Sequence, residues 1–322
     1  MANEKGKEKE MPITVQQSKR HKLLIVVTYM LVILIWSTTP IAIKWSSDGV
    51  SYLFGIVVRM SIGSVLTLLL VLIKYKKLPM DTLSRKVYLA SAVAIFGGMM
   101  PVYWGAQYIS SGLISVIFGL SPIVTGYLAW RFLHENSFSR LKVLGALAGL
   151  IGLLIIFSKG HVLGEDFIYG VLAILTAVVL HSASAVWIKS IKNDVPALSL
   201  VAGGLLFAMP LFIGVYLLFA PPVPTQIPLR AIWSILYLGV VGSVIGFVSY
   251  YFLLKNLPAS SVVLITLVTP VSALWIGHVV NDEIITMSIY AGTGFVLMGL
   301  VLHQGEDILL KKLWRKRKHY YG

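Results

Sequence analysis

One basic side chain stands deep in apolar sequence: Arg59, in LFGIVVRMSIGSVL. It falls about eight residues from the end of its apolar run, so ~12 Å deep at 1.5 Å per helical residue. A charge there costs several kcal/mol unless it faces a partner, a cavity or an anion. One reading is that its planar fork attracts a carboxylate. The other is that it ties helix ends together by donating to backbone carbonyls. His181 is the histidine in the middle of an apolar run, with Ser184 one turn further along on the same face by spacing. An imidazole titrates near physiological pH and could carry a coupling proton, or it could be a hydrogen-bonded packing residue. Trp36, Thr39, Tyr103, Trp104, Tyr250 and Tyr251 sit beside small polar residues and prolines, where they could line a site for a planar or amphipathic solute. Pro40, Pro122 and Pro270 each free a carbonyl inside an apolar run, permitting either a gating hinge or plain curvature.

The acids inform by where they are missing. All thirteen Asp and Glu residues fall in tails, loops or the ends of apolar runs. An exporter of lipophilic cations needs a buried carboxylate to hold either proton or drug, so zwitterionic, anionic or neutral solutes are favoured. Glu135 and Glu283 close two matching runs and read as caps for neighbouring loops rather than as substrate ligands. Cysteine is absent, and neither His134-Glu135 nor Asp282-Glu283 makes a metal-ligand set. No GxxxxGK[ST] loop occurs. The expectation is no cofactor, no metal and no enzyme, a membrane-embedded lipid-modifying enzyme being the weaker alternative.

What must position these residues is a set of membrane helices. Of 322 residues, 57% are hydrophobic and 12% charged, with a mean hydropathy of +0.85. Soluble domains carry roughly twice that charged share, about 25%. Runs long enough to cross a bilayer occur at Leu23–Ile43, Tyr52–Ile73, Val87–Ile109, Ser111–Phe132 and Leu141–Phe157, then at Phe167–Ile188, Leu198–Phe219, Ala231–Leu254, Ala259–Val280 and Ile285–His303. Backbone polar groups in lipid must be satisfied within the segment, so each run is expected to be a helix. Placing both termini in the cytoplasm puts 23 of the 27 basic residues on the inside, a strong positive-inside bias. The net charge of +14 therefore reflects topology rather than a nucleic-acid partner. Residues 1–22 read as a disordered cytoplasmic tail. The tail at 305–322, with KKLWRKRK, reads as a basic strip lying against an anionic cytoplasmic leaflet.

The ten runs form two related fives. A constant offset pairs Ser121-Pro122 with Thr269-Pro270, Glu135 with Glu283, Gly98 with Gly246 and Tyr103 with Tyr251. WSTTPIAIK (Trp36–Lys44) resembles HSASAVWIK (His181–Lys189), and Gly145 and Gly152 answer to Gly292 and Gly299. Gly145, Gly149 and Gly152 make a face for close helix packing, within the bundle or between protomers. Five is odd, so the second repeat inserts upside down, an arrangement common in secondary transporters.

Through WSTTPIAIK, Arg59, SPIVTGYLAWRFLHE and TPVSALWIGHVVNDE, the chain resembles the drug/metabolite transporter superfamily and its EamA-type ten-helix members, from Leu23 to about His303. That resemblance implies an all-α integral membrane protein: ten transmembrane helices in two inverted five-helix repeats, 23–158 and 159–304, around a central cavity. It also implies a small-molecule substrate, an amino acid or similar metabolite, with export favoured over import. A multidrug or nucleotide/sugar-type exchanger is the alternative. A cell (inner) membrane location follows from the family; the oligomeric state is open.

Overall fold

The computed structural model describes residues 13–133, 140–157, 166–191, 193–257, 262 and 265–302. Among them the chain forms ten helices and no strands. They are α1 Ile13–Trp45, α2 Tyr52–Tyr75, α3 Thr82–Gly105, α4 Ser111–Leu133, α5 Arg140–Phe157, α6 Phe167–Ser190, α7 Ala197–Phe219, α8 Leu229–Asn256, α9 Ile265–Asn281 and α10 Met287–Leu302. Seven are long and apolar enough to cross a membrane on their own; α9, α10 and the apolar Val143–Ile156 part of α5 are shorter. At 1.5 Å per residue the sixteen residues of α10 reach about 24 Å.

Two boundaries differ from the sequence reading. The tail expected to be disordered through residue 22 is helical from Ile13, so α1 continues past its apolar part. ITVQQSKRHK contains neither Gly nor Pro, and Pro12 just before it suits a helix start. Helix α3 begins five residues before Val87 because Asp81 caps it, its carboxylate accepting the N–H groups of Leu83 and Ser84 at 3.1 Å. Hydropathy missed that polar first turn. The basic tail and Glu135 lie outside the described residues.

The glycines show the relation between the repeats. A methyl group at Gly152 of α5 would fall 2.5 Å from the Gly292 carbonyl of α10, and one at Gly299 would strike the Gly145 carbonyl. Gly152 thus meets Gly292 while Gly145 meets Gly299, so the two helices run antiparallel. Each glycine touches the repeat counterpart of its partner's mate, as a two-fold axis between inverted halves requires. The small-residue face of α5 is used inside the bundle. Helices α4 and α9 repeat the pattern: Gly112 abuts Leu274, Gly277 abuts Ser111, and Gly119 approaches Pro270.

Neither α3 nor α8 is a plain α-helix. Each carries a π-helical stretch, Val93–Gly98 in α3 and Leu238–Gly246 in α8. They end on Gly98 and Gly246, the residues the offset pairs. An inserted π turn rotates everything after it and loosens the backbone ladder, and such turns gather at functional sites. Helix α4 breaks as well: Phe118 ends one segment and Ser121-Pro122 starts the next, joined through Gly119-Leu120. The missing Pro122 N–H is one a helix start does not need.

Candidate functional site

Arg59 is placed by α2, whose start is capped by the Ser51 hydroxyl accepting from Leu53 N–H at 3.2 Å. The side chain is 1% exposed. Its Nε donates to the Ser243 hydroxyl of α8 at 3.1 Å, and Nη1 to the Tyr103 hydroxyl of α3 at 3.4 Å. The guanidinium carbon lies 5.8 Å from the Tyr103 ring centre. Tyr103 also accepts from the Ser46 hydroxyl at 3.5 Å. The fork therefore rests on neutral side chains rather than on backbone carbonyls. Among the described residues no carboxylate pairs with it; the ion pairs there are Lys44–Glu283 and Asp48–Arg230. Charge-assisted bonds to an anion run about 2.7–2.9 Å. At 3.1 and 3.4 Å this cation is held in place but not neutralised.

Gly242 and Gly63 make that seat. A methyl at Gly242 would come 3.3 Å from Nη2, and one at Gly63 would press the Ser243 Cβ at 2.9 Å. Both contacts belong to the packing of α2 on the π stretch of α8.

A second group gathers aromatic rings from four helices. Trp36 of α1 lies 5.0 Å from Tyr250 of α8, centre to centre; His181 of α6 lies 6.0 Å from Tyr250 and 6.3 Å from Phe118 of α4. All four are partly buried. The His181 ring has no hydrogen-bond partner among the described residues. Edge and offset ring contacts at these separations suit a flat or apolar guest. Tyr251 touches Tyr250 at 5.4 Å but turns its hydroxyl to Ser91 at 3.4 Å, as expected for neighbours about 100° apart on a helix.

The remaining sequence candidates are scattered. Trp104 is 36% exposed and packs on Tyr108 at 5.1 Å, because only one of Tyr103 and Trp104 can face inward. Ser184 is buried and donates to the Ala90 carbonyl at 2.6 Å, so it fastens α6 to α3 while His181 faces α4 and α8. Thr39 bonds back to the Ile35 carbonyl at 2.6 Å, in the turn that Pro40 interrupts. Its neighbour Thr38 shares a 2.6 Å bond with the Tyr237 hydroxyl. Pro122 and Pro270 are both buried, and Pro270 stands against the α4 break at Gly119. Sequence reasoning missed Ser243, Ser46 and Phe118. The repeat gives no signal for Ser243, whose counterpart by offset is Ile95.

Ten helices among the described residues, arranged as two related halves, make a multi-pass membrane protein. The chain belongs to the EamA-like transporter family, which residues 23–158 and 168–303 each match. It is similar to the uncharacterized transporter YoaV of Bacillus subtilis, 26% identical over 274 residues, covering 84% of this chain and 94% of YoaV. An uncharacterized transporter of Archaeoglobus fulgidus is 28% identical over 287 residues, covering 84% and 95%. The uncharacterized inner membrane transporter YedA of Escherichia coli is 23% identical over 274 residues, covering 84% and 87%. A solved crystal structure superposes with a TM-score of 0.64 at 20% identity, covering 87% of this chain and 96% of the other, a likeness of fold alone.

Proposed function

We propose that this transporter is a secondary carrier that exports a small zwitterionic or neutral metabolite by alternating access, an amino acid with an apolar or aromatic side chain being the first choice. The observation that carries the reading is Arg59, buried and placed by two hydroxyls without an acid to neutralise it. A substrate carboxylate is the anion such a seat lacks. The aromatic group of Trp36, Phe118, His181 and Tyr250 would take the apolar part of the same solute. Because Arg59 is covered in this conformation, the carboxylate reaches it only when the packing of α2 on α8 loosens. The π stretch of α8 is suited to that, since its ladder is already irregular. Pro122 and Pro270 are the matching hinges, one in each repeat.

His181, the histidine in the middle of α6, is the proposed carrier of a coupling proton. Both termini lie in the cytoplasm of a cell (inner) membrane in this reading, with the basic tail on the anionic leaflet. The test is flux in proteoliposomes loaded with labelled phenylalanine, leucine, alanine and a neutral sugar. An amino acid should move at least about tenfold faster than in empty liposomes. No acceleration of any amino acid would remove the substrate assignment.

A further inference from the structure

Where α9 ends and α4 begins, one buried carboxylate holds the two repeats together. Glu283 is 9% exposed. Its Oε1 accepts the Ser111 N–H at 2.9 Å and the Asn281 side-chain amide at 3.2 Å; its Oε2 accepts the Ser111 hydroxyl at 2.9 Å and the Gly112 N–H at 3.3 Å. The Lys44 ammonium, at the end of α1, lies 3.9 Å away and donates to the Ile109 carbonyl at 3.0 Å. The Trp45 indole donates to Asn281 Oδ1 at 2.9 Å. Glu283 and Asn281 belong to the second repeat; Lys44, Trp45, Ile109, Ser111 and Gly112 belong to the first.

The local fold explains how the carboxylate arrives there. Asp282 adopts a left-handed conformation, φ 49°, and the Glu283 N–H returns to the Gly277 carbonyl at 3.1 Å, closing α9. That turn aims the side chain at the first turn of α4, whose free N–H groups and positive dipole end attract an anion. Gly277 has no side chain to obstruct it: a methyl there would overlap the carboxylate. Apart from the Asn281–Glu283 and Lys44–Ile109 bonds, these attractions run from one repeat to the other, and all lie at one end of the bundle.

We infer that Glu283 is a gating residue, a latch that keeps this end of the transporter closed and must let go of α4 before this end can open. The inference rests on the alternating-access reading, in which two halves part at one face at a time. Release is reversible because Ser111, Gly112 and Lys44 would exchange the carboxylate for interfacial water. By the positive-inside bias this end faces away from the cytoplasm. The exposed Asp48–Arg230 pair, also made between the repeats, lies in solvent and holds little by comparison.

The chain has no cysteine, so one introduced thiol reports without background. Ser115, one turn along α4 from Ser111 and 6% exposed, is replaced by Cys and labelled in proteoliposomes with a membrane-impermeant methanethiosulfonate, each side in turn. Adding Glu283→Gln should raise the labelling rate from the non-cytoplasmic side about tenfold or more, the scale of a lost charge-assisted contact. Asn281→Ala should raise it less, and Arg230→Gln should leave it unchanged. If Glu283→Gln is not recovered folded, Lys44→Met carries the same expectation. An unchanged rate in the folded variant overturns the latch. A raised rate with no flux of any solute keeps the latch and removes the carrier assignment; flux with an unchanged rate does the reverse.

Discussion

The two repeats share a backbone and differ in charge. In the first, α2 lays Arg59 on the π stretch of α8, between Ser243 and Gly242. In the second, α7 packs in the same way on α3: Gly203 meets Tyr88, Gly204 meets Ser91 and Ile95, and Phe212 meets Phe96 edge to face at 4.9 Å. Leu200 is buried there at 2% exposure, and α7 contains no ionisable Asp, Glu, Lys, Arg or His. Both halves keep the irregular helix and the glycines that let backbones approach; one alone keeps a cation. The shared parts are what motion between inverted halves requires, and the unshared part is what a solute would recognise.

The largest effects should come from the shared parts. Gly152→Ala and Gly299→Ala both force a methyl into a facing carbonyl of the α5–α10 pair. Each should cost about 1–3 kcal/mol, read as a lowered midpoint of thermal unfolding in detergent. The two losses should be alike, because both repeat-related sites meet a facing glycine carbonyl. A large loss at one site and none at the other would break the two-fold relation.

Next comes the unshared part. Ser243→Ala removes the acceptor of the Arg59 Nε–H, a bond to a charged group worth about 1.5–3 kcal/mol. It should raise the half-saturating concentration for an amino acid about tenfold. Ile95→Val at the counterpart position should cost about 0.5–1.5 kcal/mol of stability and leave that concentration unchanged. Equal effects of the two on transport would erase the distinction between the halves. Tyr251→Phe, which gives up a long 3.4 Å bond to Ser91, should change thermal stability by less than about 0.5 kcal/mol.

The architecture was legible in the sequence because lipid leaves the chain so few choices. Apolar length gave the helices, and the offset that pairs Gly98 with Gly246 picked out the ends of both π stretches without revealing that they were π. Nothing in VAIFGG or LGVVGSVIG announces an inserted turn, since a helix apolar all round carries no periodic face to shift. For the same reason Tyr103 and Trp104 looked alike until the fold turned one inward and the other out. Arg59 was legible as an isolated charge, while its neighbours were not. Ser243 is an ordinary serine until α8 carries it across the bundle to α2. Polar boundaries fared worst, at Asp81 and along ITVQQSKRHK, where helices run past the apolar stretch that betrays them.

The central claim is that Arg59 recognises a carboxylate, and one comparison reaches it directly. Competition for labelled phenylalanine uptake is measured with unlabelled phenylalanine and with phenylalaninamide, which keeps the ring and amine but lacks the negative charge. In the wild type the amide should compete at least about tenfold more weakly, a charge-assisted bond's share of the affinity. In Arg59→Gln both should compete weakly and about equally. Amide and amino acid competing equally in the wild type, or an undiminished preference for the acid in Arg59→Gln, would contradict it.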